Sequence, residues 1–181
     1  MKRIILLAFM LIGSRLFAQE WKVVEWEGKT QSEIRSSLKA WVADYFKSAK
    51  DVIQLDEADR IILKGLTPLV EHYEDEGMNI PINFSMNFTI DFQIKESKFR
   101  YTVKDIYFKN SVGSYTEGQM LVENNKNKKE ALKFKGRARK GIEASTIAVD
   151  RIVERSKSSL EEISKDIESI PLKTKSETEN W

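Results

Sequence analysis

Ile82-Asn83-Phe84-Ser85-Met86-Asn87-Phe88-Thr89-Ile90-Asp91-Phe92-Gln93-Ile94-Lys95 is the stretch that decides the fold. Apolar residues hold every even position from 82 to 94, and polar residues stand between them. Successive side chains of a strand point to opposite faces, so a period of two predicts a long strand with one buried face. Lys95-Glu96-Ser97-Lys98 turns it, and Phe99, Tyr101 and Val103 alternate with Arg100, Thr102 and Lys104 in a return strand. The parity changes at Asp105, after which Ile106 and Phe108 take over. One extra residue, a β-bulge near Lys104-Asp105, produces such a switch. The alternative is that the buried face ends at Val103.

Upstream, Trp21 to Trp26 is a short β-rich run ended by Gly28. Thr30 and Glu33 have capping-box spacing, in which hydroxyl and carboxylate each take one orphan backbone N–H. Ile34, Leu38, Trp41, Val42, Tyr45 and Phe46 follow at steps of three and four, which predicts a helix over about 31–48 with Trp41 as its core anchor. Val52 to Leu55 and Arg60 to Gly65 read as a hairpin over the polar Asp56 to Asp59. Pro68 and Pro81 flank an acidic stretch, so 66–80 reads as a loop or one short helical turn.

Downstream, 111–140 reads as a basic polar loop. From Ile142 the pattern 142, 146, 149, 153, 156, 160, 163, 167, 170 alternates steps of four and three. That predicts a long amphipathic helix over 141–170 with a narrow, coiled-coil-like seam. Pro171 should stop it, leaving 171–181 as a disordered tail. A body of 19–110 covers only part of such a helix. Leu160, Ile163, Ile167 and Ile170 are therefore expected to project and to associate with a second copy or another protein.

At the N-terminus, Lys2-Arg3 precede nine apolar residues, Ile4 to Ile12, and Ala18 precedes Gln19. This is the layout of a secretory signal peptide over 1–18, with cleavage after Ala18. Nine residues of helix rise only about 13 Å against roughly 30 Å of hydrocarbon, so no membrane span is expected. Removing 1–18 takes away Lys2, Arg3 and Arg15 and no acid. The remainder holds 27 basic and 28 acidic residues, net −1. A general polyanion argument for nucleic acid fails there.

The 181 residues are 41% hydrophobic and 32% charged, with one histidine and no cysteine. Disulfides, thiolate metal sites and cysteine nucleophiles are excluded. His72, beside Glu71, Glu74, Asp75 and Glu76, matches no metal-ligand spacing. The Walker and dinucleotide glycine fingerprints are absent, and so is a nucleophile elbow, so no cofactor and no catalytic residue is assigned.

The most unusual feature is residues 126–140, with eight Lys or Arg and one acid, Glu130. Lys133, Lys135, Arg137 and Arg139 alternate with Leu132, Phe134, Gly136 and Ala138, which as a strand places four cations on one face. Asn127 and Glu130 also have capping-box spacing, which leaves a helical start open. The functional reading is a surface for an anionic envelope component or an acidic protein. The plain reading is a solvated loop balancing an acidic body.

The order strand, helix, four strands, helix, together with three stretches of sequence, resembles a secreted bacterial family of unknown function described as having a TBP-like fold. The stretches are Leu38 to Lys47 leading into Ser48 to Gln54; Asp56 followed by Ile61-Ile62-Leu63-Lys64-Gly65; and Phe99 to Ile106. The resemblance covers about residues 20–110. It implies an α+β fold, a curved antiparallel sheet backed by helices, and export into a Gram-negative-type envelope. It implies no activity. The expectation is an exported, non-enzymatic binding or structural module of the periplasm or cell envelope. The alternative is an envelope hydrolase using carboxylates, marked by carboxylates converging in a pocket.

Overall fold

The computed structural model describes residues 20–46 and 48–178. The signal peptide expected over 1–18 lies outside the described residues, as does the end of the tail, 179–181. Ten elements follow in chain order: β1 (Lys22–Glu25), α1 (Gln31–Phe46), α2 (Ala49–Val52), β2 (Ile53–Asp56), β3 (Arg60–Asp75), β4 (Met78–Lys95), β5 (Lys98–Lys109), β6 (Ser114–Tyr115), α3 (Glu117–Ala131) and α4 (Gly136–Thr178). The antiparallel sheet has the order β1-β5-β4-β3-β2, with β6 added to β5. The architecture is α+β, a curved sheet with its helices on one face.

The alternation in β4 sets the layers. Met86, Phe88, Ile90, Phe92 and Ile94 are all buried, beside Ile61, Leu63 and Leu69 of β3 and Phe99, Tyr101 and Phe108 of β5. Register joins them across strands: Ile61 pairs with Phe92, Leu63 with Ile90, and Phe92 in turn with Tyr101. Gly65 faces Phe88, and a Cβ there would lie 2.3 Å from the Phe88 ring, so the aromatic ring fills the space a side chain would need. The bulge stands where the parity switch placed it. Asn87 pairs with Tyr107 and Thr89 with Lys104, so β5 carries one residue more than β4, and Asp105 takes φ +52°.

α1 begins with the expected capping box. The Thr30 N–H donates to Glu33 at 2.9 Å, and the Glu33 N–H donates to the Thr30 hydroxyl at 3.3 Å. The Thr30 N–H bond, then Lys29 and the Thr30 hydroxyl, bring the Glu33 carboxyl down to about 2. Trp41 is buried, with its ring edge-on to Phe92 at 6.0 Å.

Segment 66–80 corrects the sequence reading, because it is neither loop nor helical turn. β3 runs on to Asp75 and β4 starts at Met78. Glu76 and Gly77 form the two-residue connection, both at positive φ, as the hairpin turn that follows strand twist requires. Both prolines lie inside strands, Pro68 opposite Ser85 and Pro81 opposite His72. β2 pairs with β3 only as far as Leu63, and β5 pairs with β4 only from Ser85 onward. Each proline therefore sits where its strand has a neighbour on one side alone, and the missing N–H removes no ladder bond.

Segment 111–140 is likewise not a loop, since it contains β6 and α3. Thr116 and Gln119 make the capping box that starts α3, so Asn127–Glu130 lies inside the helix rather than at its start. Only Met120, Asn124 and Ala131 of α3 are buried. Asn124 packs by donating to the Thr146 carbonyl at 3.0 Å and to Asp150 at 2.8 Å. A helix docked through an amide shows no apolar period.

α4 starts at Gly136 instead of 141 and passes through Pro171 to Thr178. A proline inside a helix removes one backbone bond and crowds the preceding turn. Here Ile163, Ile167 and Ile170 are buried just before it, and Lys173 bonds back to Asp166 across it. No described helix is long and apolar enough to cross a membrane.

The expected projection of Leu160, Ile163, Ile167 and Ile170 is overturned, because all four are buried in this chain's own core. The reason is length. The 18 residues of β4 extend about 60 Å and the 43 of α4 about 64 Å, so the sheet is long enough to meet α4 from Gly141, at Asp75, to Glu168, at Tyr101 and Lys22. Thr146 and Ser156, the polar seam positions, are buried and donate to carbonyls of their own helix.

Candidate functional site

Among the described residues the helices pack on the even face of β4. The odd face carries none of them, and its residues are the polar half of the alternation. Across β3, β4 and β5 they form cross-strand rows: Arg60, Gln93 and Arg100; then Ile62, Asp91 and Thr102; then Lys64, Thr89 and Lys104.

Asp91 stands at the centre and is the one buried charged residue among the described residues, at 1% exposure. Arg60 donates a fork to it, Nε at 3.0 Å and Nη2 at 2.8 Å, and Lys104 Nζ donates at 2.7 Å. Burial pushes its carboxyl up. The bonds from Arg60 and Lys104 outweigh this and hold it below the usual carboxylate range. Beside it, Thr102 is 3% exposed and its hydroxyl has no hydrogen-bond partner among the described residues.

One row further along, Arg100 forks onto the Gln93 oxygen at 3.0 and 2.6 Å and lies over the Trp21 ring at 4.6 Å. Arg60, Gln93, Arg100 and the exposed Val23 line a groove of ≈ 500 Å³ together with Lys98 and two carboxylates, Glu57 and Asp59. At a strand spacing of about 4.8 Å, the two arginine backbones stand about 10 Å apart. Leu66, Val70 and Tyr107 are exposed further along the same face. The surface offers guanidinium donors, an amide and apolar side chains. Its one buried carboxylate, Asp91, is held by Arg60 and Lys104.

The basic run is placed elsewhere and is not a strand. Lys133 and Lys135 stand in the turn between α3 and α4, while Arg137 and Arg139 lie in the first turn of α4. The four do not share a face. Lys133 pairs with Glu130 at 2.6 Å, Arg139 with Glu143 at 2.7 Å, and Arg137 with Glu76 at 3.4 Å. The last pair joins the basic run to the acidic tip of the β3–β4 hairpin. Gly141 belongs to the same contact, since a Cβ there would meet the Asp75 carboxylate at 3.0 Å.

His72 is exposed on β3. Glu71 faces the helix side and pairs with Arg155 at 2.7 Å. Among the described residues no three His, Asp or Glu side chains converge as metal ligands. Sequence reasoning missed Arg60, Asp91, Arg100 and Lys104 as a group. The signal was the charge on the polar half of each strand, which was read only as the complement of the core.

A family model described as a domain of unknown function (DUF4468) with TBP-like fold matches residues 21–109. Comparison with curated proteins finds no match. Among solved structures, a TBP-like protein from Parabacteroides distasonis is similar at a TM-score of 0.50 and 12% identity, over 84% of this chain and 91% of its own. A DUF4468 family protein from Bacteroides ovatus gives a TM-score of 0.45 and 14% identity, over 82% and 84%. At such identity the first likeness concerns the fold alone, and that fold is the sheet and helices described above. Residues 21–109 are thus the part of this chain that matches the family of unknown function described as DUF4468 with TBP-like fold.

Proposed function

We propose that the protein is an exported, non-enzymatic binding module of the cell envelope whose working surface is the helix-free face of its sheet. The observation that carries this reading is the division of the sheet. Its helices gather on one face, and the other keeps Val23, Leu66, Val70 and Tyr107 exposed among Arg60, Lys64, Arg100 and Lys104. Exposed apolar side chains rimmed by polar ones mark an interaction surface. The charged N-terminal Lys2-Arg3 and the short apolar run after it support export.

The test is site-specific photo-crosslinking in the native cell, with the reactive group at Leu66 or Tyr107 and, as control, at Glu161 on α4. Adducts in the envelope fraction from the first two positions and none from the third are expected. Chain retained in the cytoplasm, or adducts no more frequent at the sheet face than at Glu161, would refute the reading.

A further inference from the structure

The turn between α3 and α4 shows a second surface. Leu132 is 66% exposed and Phe134 46% exposed, two large apolar side chains within a four-residue turn. Lys129, Lys133 and Lys135 alternate with them or flank them, and Glu130 is the acid of residues 129–135, so this tip carries net +2. Elsewhere in the basic run, Arg137 and Arg139 pair with Glu76 and Glu143, and Lys126 and Lys128 with Glu123 and Asp150. The turn therefore presents an exposed apolar pair flanked by lysines, of which Lys133 also pairs with Glu130. A small anion needs a concave site. A fluid interface needs none: it accepts apolar side chains below the headgroups and lysines level with them.

We propose that the α3–α4 turn docks the protein reversibly on an anionic bilayer, Leu132 and Phe134 entering the interface and Lys129, Lys133 and Lys135 meeting the headgroups. The inference rests on the export reading for its setting only. Its assay is independent of crosslinking at the sheet face, so either can fail alone.

The purified chain from Gln19 onward is sedimented with vesicles of equal phosphatidylglycerol and phosphatidylcholine, and with phosphatidylcholine alone, at low and high salt. Binding is expected to the anionic vesicles and to fall at high salt. Each lysine near an anionic surface contributes a factor of about five, so Lys133→Ser with Lys135→Ser should lower partition at least tenfold. Leu132→Ser with Phe134→Ser should do the same, and unchanged thermal melting will show that each variant is folded. As a gain of signal, Leu132→Trp should add blue-shifted emission on the anionic vesicles relative to wild type. Wild type left in the supernatant, either double variant partitioning like wild type, or no added shift from Leu132→Trp would each overturn the proposal.

Discussion

The indole N–H of Trp41 donates to Asp166 Oδ2 over 2.7 Å, joining α1 to α4 from inside the core edge. The same ring stacks on Tyr45 at 5.3 Å and meets Phe92 edge-on. Trp41 therefore belongs to helix, sheet and second helix at once. Trp41→Ala should cost about 3–5 kcal/mol. Trp41→Phe keeps most of the apolar surface and removes the donor to Asp166, for about 1–2 kcal/mol. Urea titrations of both variants will separate packing from the hydrogen bond. A Trp41→Phe variant as stable as wild type would mean that the bond contributes nothing, and one as unstable as Trp41→Ala would mean that the packing does.

Asp91 should resist substitution although it lies on the polar face. In Asp91→Ala, Arg60 and Lys104 lose their shared carboxylate and face each other. Breaking a buried pair costs about 3–5 kcal/mol. The low end is expected, since Arg60 is 39% exposed and stays solvated. Asp91→Ala with Lys104→Met should recover part of that loss. A double variant no more stable than the single one would remove the electrostatic explanation.

Acid should destabilise the protein. Asp91, Asp166 and Glu168 all have lowered carboxyl values. Burial opposes the shift in Asp91 and Asp166, where hydrogen bonds from Arg60 and Lys104, or from Lys173 and Trp41, prevail. For Glu168 the bond from Lys22 leads, followed by that from Tyr101. A carboxyl lowered in the folded state contributes stability that is complete above its unfolded value, about 4, and lost as pH falls through the folded one. The urea midpoint should stay level from pH 7 to about 5 and fall below about 4. A midpoint that rises on acidification would contradict the assignment.

Gly65 should tolerate no side chain. Its conformation is ordinary for a strand, so the objection is space, the Phe88 ring lying where a Cβ would go. Gly65→Ala is expected to lose about 1–3 kcal/mol through overpacking. Adding Phe88→Leu should relieve part of that. The thermal midpoints of the two singles and the double decide it.

The parts of the fold legible in the sequence are those where one face is apolar and the other polar. β4, the bulge at Asp105, α1 and the seam of α4 all showed themselves through period alone. The segments misread lack that contrast for identifiable reasons. β3 beyond Gly65 mixes Pro68, Glu71 and His72 into a strand with one free edge, so proline did not break it. α3 docks through Asn124, which bonds to Thr146 and Asp150 where an aliphatic residue would have marked the face. α4 outran Pro171 because tertiary contacts hold it. The candidate surface was legible residue by residue, but not as a group. Arg60, Asp91 and Lys104 lie on three strands, and only register brings them together.

The division of labour between sheet and α4 also governs timing. By residue 109 the long strands have all emerged and α1 can seat Trp41 on Phe92, yet the rest of that face, Tyr101 included, waits for residues 146–170. Lys22 of β1 closes onto Glu168, 146 positions away. Contacts of such separation form late. At synthesis rates of about 5–20 residues per second, the uncovered sheet has several seconds in which to meet another chain. Pro68 and Pro81 stand on the two strand stretches that lack a neighbour during that interval, where they deny an incoming strand its pairing partners.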